Sequence, residues 1–308
     1  MKETKFTLNS TDGTSKLSAF LFEPEEEPRA VLQLCHGMCE YITRYRPFIE
    51  NLCGAGFAVA GLDHLGHGTT AELNEAPLGY FGDKNGWEYL VEDQEVLRRE
   101  MAERFPGKPY FLLGHSMGSF IARLYAARHG EHLTALVLSG TAGKNPAAGI
   151  GKFVVNVVKL FCGKMHRSKL LFNLTTGGYN KGFTDGTTVD WLTRDLEVCR
   201  VYEKDPWCSF TFTAAGYHEL LELLIRCNSA DWYKSMPKDL PIFLYSGDHD
   251  PVGGFGKGVK EVYEGLKAAG CEKTGLTLYP DGRHEMHNEF NKEEVITNLV
   301  AFLEKNIT

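Results

Sequence analysis

Apolar and polar positions follow two rhythms along the chain, and their order outlines a fold. Lys5 to Asn9 and Lys16 to Glu23 alternate in polarity residue by residue, with turn chemistry in Thr11-Asp12-Gly13 between them; they predict an antiparallel hairpin. Ala30 to Leu34, Phe57 to Leu62, Tyr110 to Leu113 and Thr134 to Ser139 are short continuous apolar runs, as expected of strands buried on both faces. Ile242 to Ser246 and Leu276 to Tyr279 read as two more strands. Helical spacing occupies Tyr45 to Gly54, Gly86 to Phe105, Ser119 to His129, Gly258 to Ala269 and Asn288 to Lys305. Strands and helices in this alternation predict an α/β fold with a mainly parallel sheet and helices on both faces.

The rhythm breaks between Gly140 and Met236, where the sequence is helical and Gly-rich with no buried strand. The simplest organisation is one α/β core, residues 1–139 and 237–308, carrying a helical insertion over 140–236. Within it, Trp191 to Glu203 and Phe212 to Cys227 are amphipathic. Thr176 to Phe183 is a Gly-rich candidate gate. Ile150, Phe153, Val154, Val157, Val158 and Phe161 form an apolar stripe at helical spacing, expected to pack on the rest of the insertion rather than to touch lipid.

One stretch carries candidate chemistry. Tyr110 to Leu113 runs into Gly114-His115-Ser116-Met117-Gly118, and Ile121, Leu124 and Tyr125 follow at helical spacing. A G-x-S-x-G pentapeptide between strand and helix is the nucleophile elbow, a strained turn that lifts a serine hydroxyl above the sheet. The flanking glycines leave room for that turn. A serine needs a base, and the base a carboxylate to orient it. In this arrangement they follow in the order Ser, Asp or Glu, His, each in a loop after a strand. Gly247-Asp248-His249-Asp250-Pro251 follows Ile242 to Ser246, and Asp281-Gly282-Arg283-His284-Glu285-Met286-His287 follows Leu276 to Tyr279. His284 is preferred to His287 because it lies directly after the strand-end loop; the residues alone do not choose between Asp248 and Asp250. The backbone N–H of Met117, next to the nucleophile, is an expected oxyanion donor.

Taken together, His36-Gly37-x-x-Glu40, Asp63-x-x-Gly66-His67-Gly68, the Ser116 elbow, Gly247-x-x-Asp250-Pro251 and His284 resemble the α/β-hydrolases. The nearer resemblance is to the monoacylglycerol lipase and lysophospholipase-like serine hydrolases, with their serine aminopeptidase S33 and proline-iminopeptidase relatives. The resemblance implies a Ser116–His284–Asp250 triad, a second oxyanion donor in the Met38 N–H, and a cap formed by the insertion over an acyl pocket. His36, Gly37, His115, Phe153 and Val157 are the candidate substrate-binding residues. Monoacylglycerols, lysophospholipids or fatty esters are the expected substrates, cleaved through an acyl-enzyme at Ser116. Two alternatives remain: an aminopeptidase, with Asp195, Glu197, Glu203 or Glu219 holding the substrate's amino group, and a silent hydrolase-fold binding protein, disfavoured because all three triad residues are present.

Composition narrows the partners. Hydrophobic residues make up 43% and charged residues 24% of 308, ordinary for a globular chain, and the net charge of −7 disfavours nucleic acid. No basic run stands out. No apolar run approaches the ~20 residues of a membrane span, and the polar N-terminus does not read as a signal peptide. Eight scattered cysteines are expected as free thiols in the cytoplasm. Cys35 and Cys39 lack the second pair a zinc site needs, so neither metal nor cofactor is expected. Transient contact of the cap with a lipid surface is a candidate partner interaction, and no oligomeric state is read from the sequence.

Overall fold

The computed structural model describes residues 1–307. Its strands are β1 Lys2–Asn9, β2 Lys16–Glu23, β3 Ala30–Cys35, β4 Phe57–Leu62, β5 Tyr110–His115, β6 Ala135–Ser139, β7 Ile242–Gly247 and β8 Thr274–Tyr279. They form one sheet in the order β1-β2-β4-β3-β5-β6-β7-β8. The β1–β2 hairpin is antiparallel and joins β4 antiparallel, whereas β4, β3, β5, β6, β7 and β8 run parallel. The continuous apolar runs account for this: every residue of β3 to β7 is buried, while edge strand β1 alternates between exposed and half-buried positions.

The helices are α1 Arg46–Gly54, α2 Gly68–Leu73, α3 Gly86–Arg104, α4 Met117–His129, α5 Ala148–Cys162, α6 Lys169–Thr175, α7 Leu196–Lys204, α8 Ala214–Cys227, α9 Ala230–Ser235, α10 Lys257–Ala268 and α11 Lys292–Lys305. Alternate residues of the same strands feed two separate cores. Leu112, Leu136, Leu138 and Leu244 pack with α3, α4, α8 and α10, while Leu32, Phe111, Val137 and Phe243 pack with α1 and α11. Helices α5 to α9 all lie between β6 and β7 in the chain, and among them α8 packs along α4 and α3.

Several boundaries differ from the periodicity. The short α2 is unanticipated in Gly68-Thr69-Thr70. It is held by tertiary bonds: the buried Asp63 carboxylate accepts the Thr69 N–H and Oγ1, and Thr70 Oγ1 donates to the Asp63 carbonyl. The Trp191–Glu203 segment is helical only from Leu196, because the Trp191 and Leu192 carbonyls accept the His284 and Glu285 N–H groups. The closing helix begins at Lys292 rather than Asn288; before it, the buried Glu289 carboxylate accepts from the Arg283 and Arg194 N–H groups and the Arg194 guanidinium.

Candidate active site

The ends of β3, β5, β7 and β8 converge on one cavity of about 1150 Å³ under α5 to α8, the place where ligands of α/β sheets collect. The elbow is the first element. Ser116 sits at φ +54°, ψ −122°, a conformation rare outside glycine that surrounding structure must enforce. Enforcement comes from both sides: the Ser116 N–H donates to the Ser139 carbonyl at the end of β6, and Ser119 Oγ donates to the Ser116 carbonyl. Close approach fixes the glycines. A Cβ at Gly118 would collide with the Cys35 and His36 carbonyls, and one at Gly114 with the Gly118 carbonyl.

Asp250, not Asp248, meets His284. Its Oδ2 lies 2.9 Å from His284 Nδ1 and also accepts from Ser246 Oγ at 2.8 Å, while Oδ1 accepts the Val252 N–H at 2.8 Å. Asp250 is fully buried, whereas Asp248 is half exposed and faces His249. Burial opposes charge on His284, yet the adjoining Asp250 carboxylate outweighs it and holds the imidazole above its usual pKa. His284 Nε2 is buried with no protein partner, and His284 and Ser116 line the same cavity. His287 is in a different environment: stacked on Tyr45 with ring centroids 4.6 Å apart, and pushed down to about 4, by burial above all.

The loop after β3 supplies the other half of the site. His36 Nε2 accepts the His64 N–H at 3.0 Å and Nδ1 donates to the Gly37 carbonyl at 2.8 Å, so this ring is a neutral strut between two strand-end loops. Burial, with His64 and His67 beside it, holds its pKa far below normal. The Glu40 carboxylate accepts the Gly37 N–H, the Tyr45 hydroxyl at 2.7 Å and Arg44 at 3.2 Å. Arg44 also grips Glu285 with two bonds of 2.8 Å. The buried guanidinium thereby ties the loop of Met38 to the residue after His284. Between the two carboxylates that share it, burial drives Glu40 toward its neutral form; the two-bond grip of Arg44 overcomes burial at Glu285 and keeps that group ionised. The Met38 and Met117 N–H groups donate to no acceptor among the described residues, and both residues line the cavity. Met117 is also the first residue of α4, where the helix dipole favours negative charge.

The remaining candidates divide. His115 lines the cavity, its Nδ1 3.1 Å from Ser139 Oγ. His36, Gly37, Phe153 and Val157 do not line it. The apolar stripe splits: Val154 and Val158 pack inward as expected, whereas Phe153 and Phe161 are 69% and 80% exposed, and from the middle of α5 it is Val155, buried, that faces the cavity. The Gly-rich stretch forms part of the wall instead of a free loop. Tyr179 packs on Trp191 at 5.0 Å and Asn180 Oδ1 accepts the Trp191 N–H, while Trp191 in turn packs on His284 at 5.1 Å. Neither Trp191 nor the Arg44–Glu285 pair was visible in the sequence; the one local hint was Arg44 placed four residues after Glu40.

Of the four acids considered for an amino group, Glu203 alone lines the cavity, and it already accepts the Thr188 N–H and Oγ1. Glu219 is buried against the Trp87 N–H and His218. Asp195 caps α7, and Glu197 pairs with Arg200 on the surface.

A family-wide profile described as serine aminopeptidase, S33 matches residues 26–291. Among curated proteins, the monoacylglycerol lipase of Mycolicibacterium smegmatis is 29% identical over 92% of this chain and 91% of its own, and human monoglyceride lipase 27% identical over 91% and 82%. Among solved structures, a thermostable carboxyl esterase from Bacillus coagulans superposes with a TM-score of 0.93 at 32% identity over the whole of both chains. The chain belongs to the serine aminopeptidase S33 family of the α/β-hydrolases, within its monoacylglycerol lipase-like and lysophospholipase-like members.

Proposed function

We propose that this protein is a serine esterase that cleaves monoacylglycerols, lysophospholipids or related fatty esters through an acyl-enzyme. The observation that carries the reading is the constrained Ser116 sharing an apolar-walled cavity with a buried His284–Asp250 pair whose Nε2 is unpartnered. In this mechanism Nε2 takes the Ser116 hydroxyl proton as Oγ attacks the ester carbonyl. Asp250 holds Nδ1–H and the ring orientation and stabilises the imidazolium. The carbonyl oxygen becomes an anion in front of the Met38 and Met117 N–H groups; losing one such donor typically costs about 10²–10³ in rate. The imidazolium then protonates the leaving alcohol, and water repeats the sequence to free the acid.

The segment 140–236 acts as the cap, with Val155, Leu171 and Leu221 offering apolar wall to the acyl chain. Its exposed apolar face supports transient contact with a lipid surface; among the described residues no helix is long and apolar enough to cross a membrane. Eight unpaired cysteines, seven of them buried, support a reducing, cytoplasmic setting. The expected small-molecule partner is an acyl ester. An aminopeptidase is the weaker reading, because Asp195, Glu197 and Glu219 lie outside the cavity and Glu203 is already engaged by Thr188. A chain-length series of p-nitrophenyl esters beside an aminoacyl-coumarin tests both: rising kcat/KM from acetate to medium chains supports the esterase, and coumarin release without turnover beyond acetate overturns it.

A further inference from the structure

The insertion and the loop that carries His284 are joined more firmly than a lid and its base need to be. Between α6 and α7, the stretch from Asp185 to Arg194 forms a strap hydrogen-bonded along that loop. The His284 and Glu285 N–H groups donate to the Trp191 and Leu192 carbonyls at 3.3 and 2.7 Å. Arg283 donates to the Asp190 carbonyl at 2.6 Å, Thr193 Oγ1 to the Asn288 carbonyl at 3.0 Å, and the Arg194 guanidinium to Glu289 at 2.8 Å. The strap is also stiffened from within, because the Asp190 carboxylate accepts the Asp185, Gly186 and Thr187 N–H groups.

This clamp sets one side chain against the base. The Trp191 and His284 ring centroids are 5.1 Å apart with the planes at 38°, closer to stacked than to edge-on, and both residues line the cavity. Tyr179 packs on the indole in turn, at 5.0 Å. A cation within about 6 Å of an indole face is attracted by the ring quadrupole, more strongly away from water. His284 is neutral as the resting base and becomes a cation only when Ser116 gives up its proton. The contact therefore strengthens in the transition state, which raises the rate rather than the affinity for substrate.

We propose that Trp191 is a positioning residue for ester cleavage: the strap holds its indole against His284, where it fixes the ring and stabilises the imidazolium formed as Ser116 attacks. In that step the bond from Ser116 Oγ to the carbonyl carbon forms, the carbonyl π pair moves onto oxygen, and the hydroxyl proton passes to His284 Nε2. The indole makes and breaks no bond. Its chemical role rests on the esterase reading, and through it the insertion supplies part of the catalytic centre as well as acyl wall.

Trp191→Phe keeps a smaller ring in this place and Trp191→Leu keeps none. With the fold checked by circular dichroism, Trp191→Leu should lower kcat for p-nitrophenyl acetate about 2–30-fold on the alkaline plateau, with KM nearly unchanged. Trp191→Phe should recover part of the loss, and carries the test alone where the Leu variant does not fold. The acid limb of kcat/KM, and the His284 titration followed by heteronuclear NMR, should move down by about 0.4–1.5 pH units. The other groups around the ring are unaltered by the change: Asp250, Glu285 and Glu40 favour its charged form, and His115 and His287 are its neighbours in the core. From the insertion, Tyr179 is pushed up to about 12, by burial first, and stays neutral throughout. Unchanged kcat with an unmoved limb in the folded variants overturns the inference. So does a loss confined to KM, which makes Trp191 substrate wall alone, or a loss of kcat with no shift in the titration, as a merely structural role would give. If the unmodified enzyme cleaves no ester the esterase reading falls, and the NMR titration still decides whether the indole stabilises the charged ring.

Discussion

The strand-end loops and the α5–α6 arm solve opposite problems with the same residue types. At the strand ends Asp250 is held by Ser246, the Val252 N–H and His284, and the neighbouring Arg44 sits between Glu40 and Glu285 in near-complete burial. On the arm, Phe153 and Phe161 face outward, and Lys152, Lys159 and Lys164 pair with Glu222 and Asp83 at the surface. The difference teaches where the fold invests its order. Acyl transfer tolerates little misplacement, so its groups sit on the ends of a rigid sheet. Substrate admission needs an apolar surface that is available rather than packed.

The largest break in this comparison is chemical. Ser116→Ala or His284→Ala should lower kcat for a p-nitrophenyl ester by about 10⁴-fold or more with unchanged circular dichroism; near-normal turnover removes the triad. Next comes stability. Arg44→Met leaves two buried carboxylates facing each other without their cation, and should cost about 3–5 kcal/mol, read as a lower denaturant midpoint. On the cap, Lys152→Met breaks a partly exposed pair with Glu222 and should cost about 0–1 kcal/mol. Equal losses at the two sites would erase the contrast.

Specificity should separate the regions in a third way. Leu221, on α8 at the cavity wall, replaced by Trp shortens the acyl space; kcat/KM for a long-chain ester should fall about 10–200-fold while acetate turnover holds. The pH profile sharpens the core side. His284 must be neutral to accept the Ser116 proton, and its pKa is raised by Asp250 against the effect of burial. Activity should therefore fall as pH drops through a value above the ordinary histidine pKa of about 6.5, and Asp250→Asn should move that limb to lower pH. The smallest effect belongs to the arm: Phe161→Ser should change stability by no more than about 0.5 kcal/mol in a thermal melt.

What could be read from the sequence follows the same division. β3 to β7 were legible because burial on both faces leaves an unbroken apolar run, and the loops of Met38, Ser116 and Asp250 could be located as the segments that end such runs. The loop of His284 follows β8, whose middle residues are exposed or half-buried, and was read from the order of strands and loops instead. The outer half of the α5 stripe was misread because periodicity shows that a stripe exists and not what each position faces: Val154 and Val158 pack inward, while Phe153 and Phe161, at the same helical spacing, lie in solvent. Arg44 with Glu285 joins positions far apart in the chain, and no local pattern encodes such a pair. The start of α2 was hidden because Asp63, a tertiary partner, stabilises a weak helical sequence.

The most direct test of the central claim is to map the covalent adduct. Incubation with a fluorophosphonate, then intact mass and peptide sequencing by mass spectrometry, should find one adduct per chain, on Ser116, and none in Ser116→Ala or after heat denaturation. An adduct on another residue, or none on the native protein, would contradict the account.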